Sequence, residues 1–269
     1  MRLAPGTPVR VFPTPEAIGA ELAPLLLQRI EQAHHAGRAF LLGCPTGRTP
    51  RPLYAAMARR LAETRQHLDH LVLVMMDEYL VGPAGNLRYA PATEPWSCHR
   101  FVRSDIASAW NAALPPARRL PDESVWFPDP RDPAAYDARI ADAGGIDFFI
   151  LASGAGDGHV AFNPPGSLRT SRTRIVELSE TTRRDNLQTF PAFGTLSAVP
   201  QYGISVGIDT IASARSAAMI VWGSAKRPTL ARIRRAVRYE ADWPATVIHE
   251  CAGGEILCDR EAAADAGAA

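Results

Sequence analysis

Short apolar runs recur along this chain, each too brief for a helix and each ending in glycine, threonine or acid. Ala39–Gly43 (AFLLG), Leu71–Met76 (LVLVMM), Ile146–Leu151 (IDFFIL) and Ala217–Trp222 (AAMIVW) are the clearest. Runs that stay apolar rather than alternating belong to strands buried on both faces, and such strands occur in parallel sheets covered by helices. The segments between them carry helical spacing. From Pro15 to His35 the apolar positions Ile18, Leu22, Leu25, Leu26 and Ile30 fall on one face, Thr14 is an N-cap and Pro15 suits the first turn; Pro24 is expected to kink the helix. Further helices are expected over Arg51–Thr64, Cys98–Trp110, Ala134–Ala143 and Pro228–Val237, with a capped start at Ser179–Asn186. Further strands are expected at Val9–Phe12, Val176–Leu178, Gln201–Thr210, Ala245–His249 and Glu255–Cys258. No repeat or linker interrupts this alternation, which implies one α/β domain: a parallel or mostly parallel sheet with helices on both faces.

In such sheets chemistry gathers beyond the carboxyl ends of the strands, so the loops there repay attention. After Leu151 comes ASGAGDGHVAFNPPG, which places Asp157, His159 and Asn163 within seven residues and supplies glycines at 154, 156 and 158 for turns. A carboxylate and an imidazole two residues apart can converge on one pocket, although glycines after a strand also make ordinary turns. After Gly43 comes Cys44-Pro45-Thr46-Gly47-Arg48-Thr49-Pro50 and then a helix. Strand, Gly/Thr turn and helix start together present free N–H groups, a macrodipole and hydroxyls to an anion; a capped turn is the plainer alternative. The third run ends in Asp77-Glu78-Tyr79, two acids placed for proton transfer or for solvation at a wet strand end. Gly82–Ser97 reads as a loop over the site, and Leu114–Pro133 as irregular surface chain. Lys226, just past the fourth run, can close over a phosphate. Arg169, Arg172 and Arg174 form a solvated face or an anion contact.

Composition narrows the partners. A formal net charge of +1 over 269 residues argues against nucleic acid and against a polybasic membrane surface, and favours a metabolite-sized ligand. The four cysteines form no Cys-x-x-Cys pair and read as reduced thiols, and no segment has the length and apolarity of a signal core or a membrane span, so a cytoplasmic protein is expected. No histidine–cysteine cluster has metal-ligand spacing. The alanine-rich tail after Asp259 is expected to fray.

Taken together and in order, LGCPTGRTP, VMMDEYLVG, GAGDGHVAFN, SRTRI, PQYGISVGIDTI and WGSAK resemble the glucosamine-6-phosphate deaminase/isomerase family, a relative of the 6-phosphogluconolactonases. The likeness covers nearly the whole chain. It implies a single Rossmann-like domain over 1–269 and a homo-oligomer acting on a small phosphosugar, without cofactor or metal. The implied activity is isomerisation or deamination of a sugar phosphate or amino-sugar phosphate; a lactone hydrolase and a phosphosugar sensor without turnover are the alternatives. Carried over residue by residue, the resemblance makes Asp77 the base that shuttles a proton between C1 and C2. It makes His159 with Asp157 the ring-opening acid/base. Thr46, Gly47, Thr49 and Lys226 become the phosphate cradle, with Arg48, Asn163 and Arg183 as further binding residues. Three positions depart from the pattern. Pro164 stands where the deaminases have a glutamate, Arg48 replaces a loop glycine, and Gln188 replaces a phosphate-gripping arginine, with Arg183 and Arg184 nearby.

Overall fold

The computed structural model describes residues 6–264. In chain order the strands are β1 (Val9–Phe12), β2 (Phe40–Cys44), β3 (Leu71–Met75), β4 (Asp77–Val81), β5 (Arg88–Tyr89), β6 (Val125–Trp126), β7 (Phe148–Ala152), β8 (Arg174–Glu177), β9 (Tyr202–Ser205), β10 (Ala217–Val221) and β11 (Gly254–Asp259). The helices are α1 (Pro15–His35), α2 (Arg51–Thr64), α3 (Cys98–Phe101), α4 (Ser108–Asn111), α5 (Pro133–Asp142), α6 (Glu180–Thr189), α7 (Ile208–Ala212), α8 (Arg227–Arg235) and α9 (Arg260–Ala263). A π-helical turn, Val102–Ala107, joins α3 to α4.

Seven strands form a wholly parallel sheet in the order β1-β11-β10-β7-β2-β3-β6. Its central strands are buried along their length, and alternate residues serve opposite faces. Phe40, Leu42, Leu71, Leu73, Met75, Phe148 and Ile150 join one core with α1 and α2. Leu41, Val72, Val74, Phe149 and Leu151 join the other, with α5, α7 and α8. That two-sided burial is why these runs lack polar alternation. Thr14 caps α1, its hydroxyl accepting from Ala17 N at 3.2 Å, and Pro24 lies inside α1 without ending it.

A second, antiparallel sheet of order β5-β4-β9-β8 covers a small core that includes Tyr79, Trp96, Phe162 and Phe193. No such sheet is expected from the sequence. β4 leaves β3 after the single residue Met76 and pairs with β9, so the segment expected as one long strand, Gln201–Thr210, is strand only over Tyr202–Ser205 and turns at Gly207 into α7. Ala245–His249, expected as a strand, lies in the 3₁₀ segment Pro244–Glu250; a short buried apolar run does not distinguish the two. After Asp259 the chain forms α9, and residues 265–269 of the tail lie outside the described residues. All four cysteines are free and buried. Among the described residues no helix is long and apolar enough to cross a membrane.

Candidate active site

β10, β7, β2 and β3 are consecutive neighbours in the sheet, so the loops at their carboxyl ends stand side by side. The β2 connection runs toward β3 and β6 and the β7 connection toward β10, which makes the crevice between β2 and β7 a topological switch point. A cleft of about 180 Å³ opens there, lined by Thr46, Gly47, Arg48, Thr49, Asp77, His159 and Lys226 among others. Four loops distant in sequence thus meet at one edge.

Asp77 is the first residue of β4, paired with Ser205 of β9, and its carboxylate is buried at the cleft wall. Burial pushes it up to about 7; the Cys98 thiol, which donates to Oδ1 at 3.5 Å, opposes the rise and the charge of Glu78 adds to it. Its neighbour Glu78 points the other way. The Glu78 carboxylate accepts from Tyr79 N (2.8 Å), Cys98 N (3.0 Å), Ser97 Oγ (3.0 Å), His99 N (2.9 Å) and His99 Nδ1 (2.6 Å). The acids of the expected pair therefore divide their work. Asp77 faces the cleft, and Glu78 fastens the start of α3 from within the protein.

His159 is oriented from one side. Its Nδ1 donates to Asp157 Oδ1 at 2.6 Å, and Asp157 Oδ2 accepts from the hydroxyls of Ser179 and Thr182, each at 3.0 Å. Burial alone would raise the Asp157 carboxyl, but the His159 hydrogen bond and charge hold it well below the usual carboxylate range. With Nδ1–H committed to a carboxylate, Nε2 is the nitrogen left to accept or give a proton. The glycines here serve two needs. Gly158 takes φ +65°, whereas Gly154 gives way to the imidazole, since a Cβ there would lie 2.2 Å from the His159 ring. Ala161, on the cleft wall, holds φ +50°, a left-handed conformation that costs a non-glycine residue about 1 kcal/mol.

The loop expected to hold an anion is shaped by its backbone. Gly47 has φ +85°, the loop runs directly into α2, Tyr54 OH donates to Pro45 O (2.8 Å) and Trp222 Nε1 to Thr49 O (3.0 Å). These bonds fix the loop against its own helix and against the end of β10. Across the cleft Lys226 is pushed down to about 8 by burial, with Asp185 opposing and Arg48 adding; its Nζ donates to Ser153 O. A half-buried ammonium, an exposed Arg48 and the Thr46–Thr49 loop backbone facing one space suit a phosphate dianion.

Two expected binding residues do not reach the cleft. Asn163 is buried beneath it, its Nδ2 donating to Val206 O (2.8 Å) and Val160 O (3.0 Å) and its Oδ1 accepting from Arg174 (2.9 Å). It closes the turn of the loop. Arg183 turns away and donates to Leu196 O and Val199 O, while Arg184 pairs with Glu180 on the surface. Neither arginine takes the place left by Gln188, which does line the cleft. Arg169 and Arg172 pair with Asp209, and Arg169 also with Glu250. Sequence reasoning missed Asp185, a lining residue of α6 whose Oδ2 accepts from Ala155 N (3.0 Å) and so pins the glycine loop. Nothing in its surroundings in sequence marks it. Asp157, His159 and Asp185 bring three ligand atoms within 4.8 Å of one another, but both Asp157 oxygens and Asp185 Oδ2 already accept hydrogen bonds. This group reads as the support of the imidazole.

Comparison with known proteins agrees with this geometry. Residues 13–257 match the family of glucosamine-6-phosphate isomerases/6-phosphogluconolactonase. A glucosamine-6-phosphate deaminase of Shouchella clausii is 32% identical over 92% of this chain and 93% of its own. A glucosamine-6-phosphate isomerase of Candida albicans is 30% identical over 94% of this chain and 96% of its own. A solved structure described as a monomeric glucosamine-6-phosphate deaminase superposes with a TM-score of 0.79 at 26% identity, covering 95% of this chain and 98% of that one. The 6-phosphogluconolactonase from Trypanosoma cruzi shares the fold, with a TM-score of 0.69 at 18% identity over 100% and 99% of the two chains. The chain belongs to the glucosamine-6-phosphate isomerase/6-phosphogluconolactonase family.

Proposed function

We propose that this protein interconverts an aldose or amino-aldose 6-phosphate and the corresponding ketose phosphate through an enediol-type intermediate, with ammonia released where the substrate is an amino sugar. The observation that carries the reading is Asp77, a buried carboxylate held near 7 on the wall of a cleft whose other end suits a phosphate. At neutral pH much of it is ionised, yet it is a stronger base than an ordinary aspartate. In the proposed reaction the phosphate rests on the Thr46–Thr49 backbone, Arg48 and Lys226. His159, held by Asp157, moves the proton at the ring oxygen through Nε2, and Asp77 carries the proton between C2 and C1. Remote phosphate binding supplies the orientation that the proton transfers need.

A lactone hydrolase would use His159 to activate water and would leave Asp77 idle, so the placement of Asp77 favours isomerisation. Homo-oligomerisation belongs to the same proposal and is tested by sedimentation velocity; the cleft lining described here comes from one chain. The test of function is a panel of hexose and hexosamine 6-phosphates and 6-phosphogluconolactone, assayed for ketose formation, ammonia release and lactone hydrolysis. Isomerisation of at least one sugar, abolished in Asp77→Asn with binding retained, is expected. Lactone hydrolysis alone, or phosphosugar binding without turnover of any panel member, would overturn the reading.

A further inference from the structure

Four of the seven histidines, His34, His35, His67 and His70, gather at the opposite edge of the sheet from the cleft. His34 and His35 end α1, while His67, Asp69 and His70 lie between α2 and β3, where His70 O accepts from Phe40 N at the amino end of β2. His34, Asp69 and His70 each present a ligand atom, all within 4.8 Å of one another.

The tautomer of His70 is set by its surroundings. Nε2 lies 2.9 Å from Ile30 O, a carbonyl that can only accept, so Nε2 carries the proton. Nδ1 of the neutral ring then holds a free lone pair, and it is buried without a hydrogen-bond partner among the described residues. A ring whose one N–H is given to a backbone carbonyl while the other nitrogen waits is the usual arrangement of a metal-bound histidine. Asp69 is supported in turn, its Oδ1 lying 3.1 Å from His67 Nδ1 and 3.9 Å from His70 Nδ1. His67 stacks on His34 with ring centres 4.1 Å apart, which fixes the plane of the His34 ring. A second atom lacks a partner nearby on the same helix: Glu31 Oε2, three residues before His34, is also buried.

We propose that His34, Asp69 and His70 form a binding site for a divalent transition-metal ion of the zinc class. Two imidazoles and a carboxylate match borderline ions such as zinc, cobalt or nickel better than calcium or magnesium, which prefer oxygen ligands. Bound metal ties the last turn of α1 to the segment entering β3 and raises stability by mass action.

The test uses tag-free protein dialysed against chelator, with zinc chloride followed by titration calorimetry and by thermal unfolding. One equivalent and a rise in Tm of several degrees are expected. His34→Ala and Asp69→Asn alter groups that are not fully buried and should match the wild-type Tm in chelator; each should weaken zinc binding by about tenfold or more and lose the thermal gain. His159→Gln separates this site from the cleft and should leave the calorimetric binding in place. No binding by the wild type, undiminished binding by both His34→Ala and Asp69→Asn, or loss of binding in His159→Gln alone would each overturn the proposal.

Discussion

The Cys98 thiol donates to Asp77 Oδ1 across 3.5 Å, and its sulfur also lies 3.4 Å from Thr46 Oγ1, so one buried side chain links the carboxylate proposed for proton transfer to the loop proposed to hold the phosphate. Burial pushes the thiol well above its ordinary range, which keeps it a donor at neutral pH. That donation favours the ionised form of Asp77. In Cys98→Ala the Asp77 carboxyl should titrate higher, and because turnover needs the carboxylate, the acid limb of kcat/KM should move upward from about 7. A pH–rate profile checks this; a limb that stays in place would mean that another group governs it.

The same carboxyl predicts a dependence of stability on pH. Its ordinary value is 3.8 and its folded value about 7, so between those limits the unfolded chain holds fewer protons than the folded one. Stability from this group is therefore complete below about pH 4, falls as pH rises to about 7 and is level above. Asp77→Asn removes the fall. Its stability relative to wild type should improve by about 4 kcal/mol between pH 4 and pH 8, measured by denaturant unfolding at each pH.

Glu78, which receives five hydrogen bonds inside the protein, should answer to mutation as a structural residue. Glu78→Gln sets an amide against backbone N–H donors and should cost about 3 kcal/mol, lowering Tm by about 6–12 °C. The turnover of the protein that remains folded should change far less than in Asp77→Asn. Comparable losses of turnover in both variants would restore the acid pair as a catalytic unit.

At the anion end, Arg48→Gly and Lys226→Met should each raise KM for a phosphosugar by about tenfold to a hundredfold, with smaller effects on kcat. An unchanged KM in Arg48→Gly would show that the loop backbone and Lys226 hold the phosphate without the guanidinium.

Pro164 brings no charge to the loop of His159, and its carbonyl is spent in accepting from Ser167 N (3.1 Å) and Ser167 Oγ (2.7 Å). We expect slow turnover of glucosamine 6-phosphate in its ring form and faster turnover of sugars that open readily. Pro164→Glu should increase glucosamine 6-phosphate turnover, read as ammonia release. Wild-type kcat in the ordinary range of about 1–1000 per second on that substrate would show that the glutamate is dispensable in this scaffold.

The central strands were legible because burial on both faces leaves a continuous apolar run, and the convergence of Thr46, Asp77, His159 and Lys226 followed from loops at neighbouring strand ends. What sequence did not show was the direction in which polar side chains point. Asn163, Arg183 and Glu78 sit in or beside the expected motifs, yet each satisfies backbone groups away from the cleft, a choice made by segments far off in sequence. The antiparallel sheet escaped for a related reason: β4 begins with two acids, which suggested a strand end and not a beginning. His34 and His70 stand too far apart in the chain for any spacing rule to join them.

Met76 alone separates β3 from β4, and its carbonyl accepts from Val206 N at 2.8 Å, so a single peptide unit serves as the corner between the two sheets. Asp77 sits on that corner. The backbone that carries this carboxylate is thus held by both sheets at once, which makes the alignment of the group proposed for proton transfer a readout of how the two sheets pack. Packing losses as remote as Val176 or Phe193, in the small core, should accordingly depress kcat under conditions where the chain is still fully folded.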